Sequence, residues 1–80
     1  MISVKNVKKI NNRLSADYYY RDPSDIGHVT LDVNTGEILQ RQPNEEDNSR
    51  AYSYFGKVIQ FLEMMIKADN YPESADFIWY

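Results

Sequence analysis

The chain has 80 residues and a mass of 9.4 kDa, enough for one domain spanning 1–80 around one small core. Hydrophobic residues make up 42% and charged residues 26%, a balance that supports a folded globular chain and argues against disorder. With no cysteine, a disulfide framework, a thiolate metal site and a cysteine nucleophile are excluded, and the net charge of −3 disfavours general nucleic-acid binding.

No apolar run approaches the roughly 18 residues of a membrane span, and no signal-type apolar stretch opens the chain. The expectation is a soluble, cytoplasmic protein with no membrane partner. Charge is unevenly spread. Residues 1–16 hold Lys5, Lys8, Lys9 and Arg13 and no acid, a balance of +4, while the remainder sets five bases against twelve acids. The basic first segment is the one place where an anionic partner could dock.

Residues 2–10 read as a first strand, because Ile2, Val4, Val7 and Ile10 are all β-branched and Asn11-Asn12 suits a turn. The steps from Val4 to Val7, Ile10 and Leu14 also fit helical spacing, so a short N-terminal helix is the competing reading. Leu14, Ala16, Tyr18 and Tyr20 alternate with Ser15, Asp17, Tyr19 and Arg21, which predicts a strand over 14–21 with Tyr19 facing away from its two neighbours. Residues 22–27 form a loop by composition.

Val29, Leu31 and Val33 then alternate with His28, Thr30 and Asp32, and the extended pattern resumes at residues 37–40 after Asn34-Thr35-Gly36. That predicts a hairpin, with Gly36 free to take a left-handed position. The phrase Leu31 to Ile38 resembles hairpins in many unrelated β proteins, propeller blades included, and marks a turn, not a function.

Between Asn44 and Asp69 the period changes to 3.6. Phe55, Val58, Ile59, Leu62, Met65 and Ile66 make an apolar stripe with Ala51, and Glu45, Glu46 and Asp47 suit a helix start. Asn44 is a good cap, with Asn48 or Ser49 as alternatives. A helix of roughly 20–25 residues is predicted. Gly56 inside it costs about 1 kcal/mol relative to alanine, and its expected use is close approach to the sheet. Asn70 and Pro72 end the helix, and the aromatic residues 76–80 read as a docked last strand or as a segment that inserts into a neighbour.

Chemistry-bearing patterns are sparse. His28, Thr30 and Asp32 share a strand face, but one histidine without cysteine is too little for a structural zinc site. The run from Asp32 to Gly36 lacks the spacing of a calcium loop, and no acid stands at its twelfth place. No serine lies in a nucleophile elbow, and Gly27, Gly36 and Gly56 form no phosphate loop. No cofactor is implied, and the chain reads as no enzyme.

The unusual feature is aromatic content, 14% with seven tyrosines. Tyrosine and tryptophan bury large area while keeping a polar tip, which suits contact surfaces as well as small cores. The predicted fold is α+β: an antiparallel meander of about four strands, one long amphipathic helix across one face, and a short C-terminal edge strand, in the order β-β-β-β-α-β.

The expected function is a non-catalytic protein–protein interaction module of the small acidic accessory type found in bacteria and phages. It would bind another protein or its own copy as a homodimer, through Tyr18, Tyr19, Tyr20, Trp79 and Tyr80. The alternative is a weak single-stranded nucleic-acid binder using Lys5, Lys8, Lys9 and Arg13 beside the tyrosine run.

Overall fold

Alternation of period two becomes a sheet wherever one of its faces can be buried, and residues 13–19 and 27–32 alternate in that way. The structure, a computed structural model, describes residues 1–49 and 54–78. Strands β1 (Ile2–Ile10), β2 (Arg13–Tyr19), β3 (Gly27–Asp32) and β4 (Ile38–Gln42) form an antiparallel meander, and β5 (Ala75–Phe77) returns to pair with β1. The sheet order is β4-β3-β2-β1-β5, so the α+β architecture and the terminal edge strand are as predicted.

The first segment is a strand, not a helix, and its helix-like spacing has a local cause. The pairing of β1 with β2 slips between Lys5 and Lys8, where Asn6 takes a left-handed φ of 52°. Such a bulge adds one residue to one strand. Ile2 and Val4 therefore face inward with period two, and Val7 recovers the same face one residue late. Asn11, also left-handed at φ 54°, turns the chain into β2. Gly36 adopts φ 75° in the second hairpin, where an L side chain would be strained.

The chain after β4 forms two helical pieces: α1 (Glu45–Ser49) and the long helix α2 (Phe55–Ala68), with Tyr54 in a turn ahead of α2. The predicted run of 20–25 residues is thus shorter as a continuous described helix, at 14 residues. Residues 50–53, including Ala51 of the predicted stripe, lie outside the described residues. The two are held differently: α1 carries no apolar side chain and is held by its caps and its buried Asp47 carboxylate, whereas α2 is held by its apolar stripe. Asn44 caps α1 by accepting from the Asp47 amide at 2.8 Å, and the Asp25 carboxylate accepts from the amides of Glu45 and Glu46.

Phe55, Val58, Leu62 and Met65 of α2 pack onto Ile2, Val4, Leu14, Ala16, Tyr18, Val29 and Leu31 from the sheet. Helix α2 ends at Asp69, which takes the left-handed position itself (φ 50°) and returns its amide to Ile66. The Asn70 amide bonds the Met65 carbonyl, closing the terminus. Phe77 of β5 stacks on Phe61 of α2 with ring centroids 4.2 Å apart, which docks the last strand.

One glycine expectation is corrected. Gly56 is exposed, and a Cβ added there would meet nothing within 4 Å. It lies off the buried stripe of α2, on the solvent side. The glycine that does mark a close approach is Gly27, at the start of β3.

Candidate functional site on the open face of the sheet

Because α2 covers one face of the sheet, the side chains that alternate away from it define a second face. Register arranges that face in cross-strand rows. Ile10, Arg13 and Asp32 form one row, and Lys8, Ser15, Thr30 and Gln40 the next. Lys5, Asp17, His28 and Gln42 make a third, and Ser3 with Tyr19 lies beyond it. Among the described residues no helix covers these rows. The first two rows, with His28 of the third, line a shallow concavity of about 800 Å³ whose apolar rim is Ile10 and Leu39, 65% and 43% exposed.

The third row holds a polar relay that a linear reading of the chain does not reveal. Asp17 Oδ1 lies 2.7 Å from His28 Nδ1, and Asp17 Oδ2 accepts from Asn6 Nδ2 at 2.9 Å. Burial pushes the Asp17 carboxyl up, but the hydrogen bonds from Asn6 and His28, with the charges of His28 and Lys5, outweigh it and hold it below its ordinary range. The other ring nitrogen of His28, Nε2, lies 3.4 Å from Thr30 Oγ1. The order carboxylate, imidazole, hydroxyl can relay a proton. Thr30, however, sits mid-strand between Ser15 and Gln40, so its own backbone polar groups lie in the plane of the sheet and offer no oxyanion hole.

The acids of this face are spent internally. Asp17 is engaged as above, Asp32 Oδ1 accepts from the amides of Asn34 and Thr35, and Asp76 Oδ1 accepts from Ser3 Oγ at 2.6 Å. Lys5 lies over the Tyr19 ring, 5.2 Å from its centroid. Lys8 and Arg13 differ. Neither forms an ion pair or side-chain hydrogen bond among the described residues, although Asp32 stands directly across from Arg13. The Asp32 carboxylate turns instead to the hairpin it caps.

The residues predicted as a contact surface separate. Tyr19 is half-buried on the open face. Tyr18 and Tyr20 point the other way and are 0% and 4% exposed, so both belong to the core and leave the surface set. Their hydroxyls donate to one buried carboxylate, Asp47: Tyr18 to Oδ2 at 2.6 Å and Tyr20 to Oδ1. Burial first, and the Asp47 carboxylate second, hold the Tyr18 phenol well above its ordinary range. Arg41 reaches Asp47 at 3.8 Å and lies 3.7 Å over the Phe55 ring. This cluster ties α1 to the sheet. Trp79 and Tyr80 lie outside the described residues.

Of the predicted basic set, Lys5, Lys8 and Arg13 share the open face. Lys9 falls on the other side of β1, opposite Leu14, with its ammonium 5.7 Å from the Tyr71 ring centroid. The bulge at Asn6 is the reason, since it reverses the facing of every later β1 residue. Register alone could have revealed the Asp17–His28 pair. Asp47 carried no signal beyond helix-start chemistry.

Comparisons with family models, with curated proteins and with solved structures find no match. The fold and this face are therefore the ground on which function is argued. No described helix is long and apolar enough to cross a membrane.

Proposed function

We propose that the chain is a non-catalytic protein-binding module that presents the open face of its sheet to a partner protein. The observation that carries this reading is the pairing of an uncovered sheet face with exposed Ile10 and Leu39 at the rim of its concavity. An antiparallel sheet can face water on one side, but apolar side chains on that side favour contact. The partner is a different protein or a second copy of the chain.

Capture experiments test the reading. The wild-type chain, an Ile10→Asp/Leu39→Asp variant and a Met64→Asp control on the solvent side of α2 are compared as baits. A protein retained by the wild type and the control but lost by the face variant supports the proposal. Equal retention by all three baits removes it. Light scattering at rising concentration reads the self-association form, which a constant mass of one chain would end.

A second reading, single-stranded nucleic-acid binding, is favoured by one observation: Lys5 over Tyr19 shares the face with Lys8 and Arg13. It demands anisotropy of labelled oligonucleotides that falls steeply with salt. Asp17, Asp32 and Asp76 on the same face weigh against it.

A further inference from the structure

Lys8 and Arg13 are the two cations of the open face whose charge no described neighbour uses. Lys8 stands opposite Ser15, and Arg13 lies two residues from Ser15 on β2, so the two are diagonal neighbours on one face. Diagonal positions of this kind lie roughly 7–8 Å apart. The hydroxyls of Ser15 and Thr30 continue the Lys8 row across the concavity, and Ile10 and Leu39 flank it. The three aspartates nearby hydrogen-bond to other groups, and none of them forms an ion pair with Lys8 or Arg13.

We infer that the partner segment received by this face is an acidic peptide, with carboxylates seated on Lys8 and Arg13 and aliphatic parts resting on Ile10 and Leu39. This rests on the reading of the face as a protein-binding surface and adds the chemistry of the partner. Charge complementarity decides the occupant. A guanidinium and an ammonium both favour carboxylates, and the arginine can hold one in a bidentate fork. A nucleic acid matches less well, because its evenly repeated phosphates would also meet ionised Asp17 and Asp32. A peptide can space two carboxylates onto the two free cations and place neutral residues over the acids.

Fluorescence anisotropy with a labelled peptide of Glu-Pro-Val repeats, its Gln-Pro-Val counterpart and an oligothymidylate tests the inference. The glutamate peptide is expected to bind about tenfold more tightly than the glutamine peptide. Lys8→Ala/Arg13→Ala should abolish that preference, while Lys57→Ala/Lys67→Ala, two exposed cations of α2, should keep it. Equal binding of the two peptides to the wild-type chain overturns the inference without relying on any variant, as does tighter binding of the oligothymidylate. Amide shifts in the isotope-labelled protein separate the two levels of failure. If both peptides perturb Ser15, Thr30 and Leu39 equally, the face stands as a peptide surface and its acidic preference falls. If neither peptide perturbs them, the inference falls together with the reading beneath it.

Discussion

The ring of Tyr18 lies directly over Gly27, so closely that a Cβ built on Gly27 would stand 2.3 Å from Tyr18 Cζ and 2.6 Å from its hydroxyl oxygen. The two residues are paired across β2 and β3, and only a hydrogen at Gly27 lets the phenol cross to Asp47. Gly27→Ala must displace a fully buried ring and should destabilise by about 2–3 kcal/mol. Gly56→Ala, in open space on an exposed helix position, should stabilise by about 0.5–1 kcal/mol. Urea denaturation of the two variants should therefore move the midpoint in opposite directions.

Tyr18→Phe removes one of the two phenols that donate to Asp47. A buried carboxylate deprived of a donor should cost about 1–3 kcal/mol, read by chemical denaturation at neutral pH. The same site sets an alkaline limit. The native phenol stays protonated above its ordinary value of 10.0, while the unfolded chain ionises there. The unfolded state then binds fewer protons, so stability falls as pH rises past about 10, by up to ~1.4 kcal/mol per pH unit for this group. The variant should lack that part of the slope.

Asp17 gives the opposite limb. Its carboxyl titrates below the ordinary 3.8 in the folded chain, so its contribution is present above that pH and is lost on acidification through the lower folded value. Asp17→Asn should lower the melting temperature at neutral pH, and the gap to the wild type should shrink as pH drops below about 4. A gap that stays constant with pH would mean that the His28 and Asn6 bonds do not stabilise the charged form.

Leu62 is fully buried between α2 and the sheet. Leu62→Ala should destabilise by about 2–5 kcal/mol, a large share of the stability of so small a domain. Thermal unfolding checks it directly, and a change under about 0.5 kcal/mol would place that face of α2 in solvent.

The hairpins at Asn11-Asn12 and Asn34-Gly36, the alternation through β2 and β3 and the stripe of α2 were all legible along the chain. Each depends on residues close in sequence. The first strand was ambiguous for a definite reason: the bulge at Asn6 turns a period of two into a step of three between Val4 and Val7. The same bulge takes Lys9 off the face of Lys5 and brings Lys8 onto it, which no count of basic residues could show.

Taken alone, the sequence determined where the chain extends, turns and coils, and that Tyr18 and Tyr20 oppose Tyr19. Those properties follow from backbone sterics and from side-chain periods of 2 and 3.6. Only the tertiary structure decided which side of that alternation is buried, and so made Tyr18 and Tyr20 core residues bonded to Asp47. It likewise set Asp17 against His28 and left Lys8 and Arg13 without an ion-pair partner among the described residues. These relations join strands that meet by register, and register is set by the burial of one whole face at once.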